Sequence, residues 1–441
     1  MRSELTPLLK IAGPIVLGEI GWMAMGIVDT LMVGPLGPAA ISATGIGSAV
    51  FTAVAIFGMG LMLGLDALVS QSYGARRLDE CLRWLHHGVA LALVVAPLVV
   101  ATIWGLAQTM DWWGLHPDTY VLAEPYLRIT MLGTLPLLLY ASCRRYLQGL
   151  HVVGPIMAAL LSANIVNAAG NWVLIHGHFG LPALGVQGSA WATVIARIYM
   201  AAFLVAAILH THRRRGDTHP RVPIVIEAAR MRRLVAVGFP AASQIALEVG
   251  AFATSTTLAG KLDPVASASH QIALNIASLV FMIPLGLSSA AAVRVGHAMG
   301  AGDVPRTIRA GWTAFGAGAA VTTLMAAAIL IWREPVLRLF TVDPNVLAIG
   351  SGLLIIAAAF QVVDGAQAVA TGVLRGIGDT RMPMYMNVIG HWMLGIPSGY
   401  VLCFVAGWGV RGLWFGLSIG LTFVAITLTV TWARRARQMA A

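Results

Sequence analysis

Apolar residues occur in stretches of about 20, the length that crosses a hydrocarbon core as a helix, and short polar breaks separate them along the whole chain. Twelve such runs lie at approximately residues 11 to 33, 45 to 70, 87 to 108, 124 to 146, 156 to 177, 187 to 210, 234 to 259, 272 to 294, 311 to 332, 347 to 372, 384 to 406 and 411 to 432. The pattern predicts an all-α polytopic membrane protein of twelve transmembrane helices. The first run contains Pro14, Glu19 and Asp29 and lacks a small-residue cleavage site, so it is expected to remain as a helix rather than serve as a signal peptide.

The longest polar interruption, HTHRRRGDTHPRVPIVIEAARMRR at residues 210 to 233, falls between the sixth and seventh runs. It divides the chain into an N-lobe at 1–210, a cytoplasmic linker at 211–233 and a C-lobe at 234–441, each lobe with six spans. Sliding the sequence by 226 residues aligns 11 to 75 with 237 to 301 without a gap. The shift pairs Pro14 with Pro240, Gly34 with Gly260, Pro38 with Pro264, Gly60 with Gly286, and Gly74-Ala75 with Gly300-Ala301. Later in each half, GVQGSAWA at Gly185 echoes GVRGLWFG at Gly409, and LQG ending at Gly149 echoes LRG ending at Gly376. Six spans return the chain to its starting side, so the repeats are parallel and give two pseudo-symmetric six-helix bundles. A transport path between two such lobes is the functional reading. Close helix approach and kinking by Gly and Pro is the competing structural one.

With 58% hydrophobic and 10% charged residues, the chain is too apolar for a water-soluble domain. Its net charge of +10 raises the question of nucleic acid, and the placement of the charges answers it. With the N-terminus in the cytoplasm, 22 of the 28 basic residues fall in inside segments, and only Lys261, Arg333, Arg338 and Arg411 fall outside. Arg128 and Arg197 lie within spans. This is the positive-inside asymmetry, so basicity reports orientation in a bacterial inner membrane with both termini cytoplasmic. Cys81, Cys143 and Cys403 have no paired spacing that would imply a disulfide framework or a metal site.

An ionisable group at mid-membrane costs about 2.5 to 3.5 kcal/mol on insertion scales, so each requires a reason. The acids well inside apolar runs are Glu19 and Asp29 in the first, Glu248 in the seventh and Asp364 in the tenth, with Asp66 nearer the cytoplasmic end of the second. None has a nearby Lys or Arg in its own span. A carboxylate without a fixed cationic partner either takes up a proton or holds a mobile cation, and both suit an antiporter. Asp29 lies five residues before the external loop at Gly34; Asn167 and Asn171 share one face of the fifth helix; Thr193 lies in the outer third of the sixth. These four therefore share a level and offer carboxylate, amide and hydroxyl oxygens to a small cation. Hydrogen-bonded cross-linking of helices is the structural alternative. Glu248 and Asp364 are bracketed by Gln244 and Gln361, yet the 226-residue shift sets Glu248 against Trp22 and Asp29 against Ser255. The scaffold repeats and the acids do not. For Glu19 and Asp66 a structural role competes equally, for Asp66 by helix-end snorkelling or pairing with cytoplasmic arginines.

No enzymatic motif accompanies these residues. The only two lysines, Lys10 and Lys261, are followed by Ile and Leu, which excludes a Walker A loop. His-Glu-x-x-His, Cys-x-x-Cys and a nucleophile elbow are absent, so an enzyme is not expected. His270 borders the eighth apolar run and His391 lies in the eleventh, and a helix-packing hydrogen bond is the expected role of each.

The segments MGIVDTLMVG around Asp29, QSYGAR at Gln71, NIVNAAGNWVLIHGHFG from Asn164, LEVGAF around Glu248, HQIALNIASLVFMIPLGLSSAAAVRVG from His270, FQVVDGAQ around Asp364, LRGIGDTR from Leu374 and WMLGIPSGY from Trp392 cover nearly the whole chain. In them the sequence resembles the multidrug and toxic compound extrusion (MATE) family, in its NorM-type bacterial branch. The resemblance implies export of small cationic and amphipathic compounds in exchange for Na+ or H+, by alternating access of two bundles set in a V. It further implies that Asp29, Asn167, Asn171 and Thr193 form an ion or proton site in the N-lobe. Glu248 and Asp364 would form a cation site in the C-lobe, with Na+ as the candidate, and Gln244, Phe360, Gln361 and Glu19 would be secondary or substrate contacts. Two positions depart from the family pattern. Asn171 stands where archaeal proton-linked relatives carry an acid, and Phe360 where relatives place Tyr, which removes an oxygen ligand. The expected partners are small organic cations and membrane lipid, with no nucleic acid, no cofactor beyond the coupling ion, and a monomeric state. A flippase for lipid-linked precursors is the alternative transporter; it requires cavity arginines for a diphosphate, and only Arg128 and Arg197 lie in spans. An enzyme acting on membrane lipid would need a nucleophile beside a base, and no such pair is present.

Overall fold

The computed structural model describes residues 2–215 and 222–441. Among these, twelve helices are long and apolar enough to cross a membrane, and no strand occurs. They are α1 (Arg2–Val33), α2 (Pro38–Gly74), α3 (Leu78–Gln108), α4 (Pro117–Gly149), α5 (Gly154–His176), α6 (Val186–Arg215), α7 (Ala228–Ala259), α8 (Pro264–Gly300), α9 (Val304–Arg338), α10 (Pro344–Gly376), α11 (Arg381–Val405) and α12 (Val410–Ala440). The expected linker at 211–233 is shorter than its polarity suggested, because its first residues finish α6 and its last begin α7; residues 216–221 of it lie outside the described residues.

Helices outrun their apolar stretches where a cap defines the start. Asp263 accepts a hydrogen bond from the Ala266 amide at 2.9 Å, with Pro264 in the first helical position, and α8 therefore begins about two turns before the apolar run at 272. Asp343 caps α10 through the Asn345 amide at 2.8 Å, again followed by a proline, and Asp303 caps α9 through the Arg306 amide at 2.9 Å. In α11, Pro397 lacks a backbone donor and its ring excludes the normal i−4 carbonyl. The helix takes this up in π-helical turns over Val388–Gly395 and Val401–Val405. Glycines four apart on α12 let it press against α11: Gly412 on the backbone of Leu402 and Cys403, Gly416 on Gly399 and Gly395, and Gly420 on Gly395 and Gly390.

The chain forms two compact units, but their borders are not those of the two sequence halves. One unit is Leu17–Ala242; the other joins the residues up to Val16 to Ser243–Ala441. In the first unit, the opening turns of α7 lie on α2. A Cβ on Gly60 would stand 2.5 Å from the Ala242 Cα, and one on Gly64 would stand 2.9 Å from the Leu234 carbonyl oxygen. Arg230 of α7 donates to Glu80 of α3, with one bond at 3.0 Å, and the Glu227 amide donates to His87 Nε2 at 2.9 Å. In the second unit, the opening turns of α1 do the same to α8 and α9. A Cβ on Gly286 would stand 3.0 Å from the Val16 nitrogen, Arg294 donates to Glu4, and Arg306 donates to Glu4 at 3.1 Å. Gly60 and Gly286 are equivalent under the 226-residue shift, and so are Val16 and Ala242. Each half thus lends the start of its first helix to the unit built mainly from the other half, at corresponding residues.

Both contacts leave no space for a side chain. Gly60→Leu and Gly286→Leu are each expected to destabilise the protein by about 1–3 kcal/mol through overpacking, read as a lower midpoint of thermal unfolding in detergent. Gly105→Leu in α3, where a Cβ meets no atom within 4 Å, should leave that midpoint close to wild type.

Candidate functional site

In the first unit, α1, α5 and α6 bring one carboxylate together with three neutral polar side chains. Asn164 locks α1 to α5, donating to the Gly21 carbonyl at 3.0 Å and to its own Leu160 carbonyl at 2.9 Å; Gly21 itself leaves room for Leu160. One turn further along α5, Asn167 and Asn171 are fully buried. Asn167 Nδ2 donates to Asp29 Oδ1 at 3.0 Å and Asn171 Nδ2 to the same oxygen at 2.6 Å. Thr193 of α6 donates to Asp29 Oδ2 at 3.0 Å, and Asn171 Nδ2 also reaches Asn167 Oδ1 at 3.2 Å. Close approach of α5 and α6 makes this possible, since a Cβ on Gly170 would stand 3.1 Å from the Ala192 Cβ. The four residues expected to share a level are therefore in direct contact. Their contacts are hydrogen bonds donated to the carboxylate, and no Lys, Arg or His lies within 4.0 Å of it among the described residues. Asn171 Oδ1 is buried with no partner.

Glu19 stands apart from that cluster. Arg144 of α4 donates directly to Glu19 Oε1, and both side chains are largely buried. Arg145 Nη1 donates to the wholly buried Asp66 at 3.4 Å. No basic residue attends these acids in their own spans, but the C-terminal end of α4 supplies one to each from another span. Pairing of this kind is what a buried carboxylate needs for structural purposes. Glu19, expected as a secondary or substrate contact, is instead committed to Arg144.

The second unit places Glu248 of α7 and Asp364 of α10 close enough for each charge to act on the other. Asp364 is 4% exposed, with Oδ1 unpartnered, while Glu248 is only half-buried. Gln367, one turn beyond Asp364 and not singled out by sequence, turns its amide to Glu248 Oε2 at 3.5 Å and leaves its own Oε1 unpartnered. Gln361 donates to the Ala277 carbonyl of α8 at 2.6 Å and likewise keeps an unpartnered oxygen, and Gln244 is buried one turn before Glu248. Two carboxylates and the oxygens of Gln361 and Gln367 thus make an acceptor-rich neighbourhood suited to a proton or a hard monovalent cation. A cluster of three or more His, Cys, Asp and Glu side chains able to hold a metal is absent among the described residues.

Phe360 is no ligand but part of a wall. Its ring meets Trp414 edge-on with centroids 5.9 Å apart and Phe252 at 6.1 Å. His270 has the packing role expected of it, accepting from Trp414 Nε1 at 3.1 Å and bonding Thr256 at 3.1 Å. His391 does not: it is buried near Phe252 on the π-helical part of α11, and neither ring nitrogen has a partner.

Comparison with known proteins places these features in a family. The MatE family model matches residues 14–173 and again 240–401, two matches that begin 226 residues apart. A probable multidrug resistance protein NorM from Mesorhizobium japonicum is 35% identical over 99% of this chain and 95% of its own length. Another of that name, from Bradyrhizobium diazoefficiens, is 34% identical over 100% of this chain and 95% of its own length. Among solved structures, the eukaryotic MATE transporter AtDTX14 superposes with a TM-score of 0.88 at 22% identity, covering 99% of this chain and 98% of its own. A multidrug resistance MATE family transporter in an outward-facing conformation gives 0.88 at 20% identity, covering 98% and 96%. At these identities the structures speak for the fold, and the doubled family match and the full-length relatives speak for descent: the chain belongs to the MatE family.

Proposed function

We propose that this protein is a secondary antiporter that exports small cationic and amphipathic compounds in exchange for Na+ or H+ by alternating access. It acts as a transporter rather than an enzyme. The observation that carries the reading is the sorting of its buried acids. Glu19 and Asp66 are neutralised by arginines from another helix, whereas Asp29, Glu248 and Asp364 have no ion-pair partner among the described residues. An unpaired acid in a low-dielectric interior is costly to retain unless a mobile cation or proton visits it. The relatives named as probable multidrug resistance proteins supply the cargo class. The basic residues of the polar segments orient the chain in a bacterial inner membrane with both termini in the cytoplasm. Its partners are organic cations and lipid, not nucleic acid, and it works as a monomer without a cofactor. A flippase for lipid-linked precursors would need several arginines free to take a diphosphate, whereas Arg128 is bonded to Glu124 and Arg197 is held by the Thr130 carbonyl and the Phe51 ring.

In everted vesicles from a host without its own pumps, an imposed sodium or proton gradient should drive ethidium movement. Asp29→Asn, Glu248→Gln and Asp364→Asn should each reduce it by about tenfold or more, the effect of losing an interaction worth roughly 1.4 kcal/mol or more in the rate-limiting step. Unchanged transport in all three variants, or no movement under either gradient, sinks the reading.

Glu19→Gln separates a structural acid from these. It leaves Arg144 buried and uncompensated, which should cost about 3–5 kcal/mol of stability and show as reduced yield of monodisperse protein. Asp29→Asn, which only exchanges one hydrogen-bonding group for another, should purify like wild type.

A further inference from the structure

Each exchanged helix start is fastened by an ion pair, and the two fasteners stand at equivalent places with opposite charge. In the first unit, Arg230 of α7 grips Glu80 of α3 with two bonds, one of them 3.0 Å long, and its guanidinium lies 5.5 Å over the centre of the Trp84 ring. In the second unit, Glu4 of α1 accepts from Arg306 of α9 at 3.1 Å and from Arg294 of α8. Glu4, Glu80, Arg230 and Arg306 are each the third residue of their helix. The 226-residue shift sets Glu4 on Arg230 and Glu80 on Arg306. The acid of one helix start is a base on the other, and the receiving residue is reversed to match.

Apolar packing separates the two starts in one direction only. Leu8 and Leu234 correspond and both are buried, and the receiving helices carry the same pair, Gly60-Leu61 and Gly286-Leu287. At two other corresponding positions α1 is the bulkier, with Ala12 for Gly238 and Val16 for Ala242. A Cβ on Gly238 would stand 2.2 Å from the Leu61 carbonyl oxygen, so α1 fits poorly in the seat of α7. The slimmer α7 meets no such obstacle in the seat of α1.

We propose that the charge reversal is a lock on the exchange, admitting the start of α1 only to α8 and α9 and the start of α7 only to α2 and α3. Docked on its own half, α1 would set Glu4 against Glu80, and α7 would set Arg230 against Arg306 and Arg294. Like charges would meet in both places, and each would lose the partner that offsets its burial. Glu4 is 8% exposed and Arg294 6%, so water does little to soften that penalty. It is the reversal that discriminates, beyond the attraction within each pair. Two pairs of the same polarity would hold the starts equally well and leave both dockings alike in charge. The lock is independent of what the protein carries.

Spin labels at Leu5→Cys and Arg309→Cys in the full-length protein test this, because Leu5 adjoins Glu4, Arg309 lies one turn beyond Arg306, both are exposed and the three native cysteines are buried. Every variant carries Ala12→Gly and Val16→Ala, which give α1 the slimmer face of α7. This background alone should show one short distance between the labels. Reversing the second unit with Glu4→Arg, Arg294→Glu and Arg306→Glu keeps its fastening pairs but gives both starts the same charge. The short distance should then be lost from about half of the molecules, as two dockings of equal energy require. Adding Glu80→Arg and Arg230→Glu restores the opposition, and nearly all molecules should regain the short distance. The proposal is overturned if the short distance persists in full when the starts are alike, if the background alone loses it, or if restored opposition does not bring it back. Should matching the starts prevent folding, recovery of monodisperse protein on restoring the opposition supports the lock, since the fastening pairs are present in both proteins; failure of both overturns it.

Discussion

Within the hydrocarbon layer there is no water to complete a hydrogen bond, so every buried polar group must find its partner inside the protein. Most features of this structure answer that constraint. Backbone groups are satisfied by helices throughout the spans, threonine and serine hydroxyls bond carbonyls one turn back on their own helices, and His270 is held between Trp414 and Thr256. Glu19, Asp66 and Glu4 are each neutralised by arginine. Buried polar atoms without a partner occur in both units, and at the acid clusters they include Asp364 Oδ1, the amide oxygens of Gln361 and Gln367, and Asn171 Oδ1.

Duplication produced two units of one plan, and the plan includes an exchange of helix starts. Val16 lies on Gly286 and Ala242 on Gly60, contacts that correspond under the same 226-residue shift that aligns the halves. Glycine is required at both places because a helix backbone occupies the position of a side chain. The exchange also places α1 and α7, which carry Asp29 and Glu248, astride the borders of both units.

The chemistry of the two units has diverged on this shared scaffold. In the first, one carboxylate receives three neutral donors. In the second, two carboxylates share one region with glutamine side chains, and their mutual repulsion favours the entry of positive charge. One arrangement is rich in donors and the other in acceptors.

Twelve spans, their all-α character and the duplication were legible in the chain itself, because membrane thickness imposes a length on each apolar run and glycine and proline mark the repeat. So was the shared level of Asp29, Asn167, Asn171 and Thr193, since helix rise converts distance from a loop into depth. Depth is one coordinate, however, and it does not say which neighbour a side chain turns to. Glu19 read equally as a structural acid or a substrate contact, and only the fold set Arg144 beside it, as it set Arg145 beside Asp66. Gln367 carried no signal at all, and Arg197 was merely an arginine in a span. The borders of the units were equally hidden, because polarity marks a linker while only packing shows where α1 and α7 change company. Sequence determined which residues the membrane must tolerate and at what level; tertiary structure decided their partners, because ion pairing and steric fit depend on azimuth and contact between helices distant in the chain.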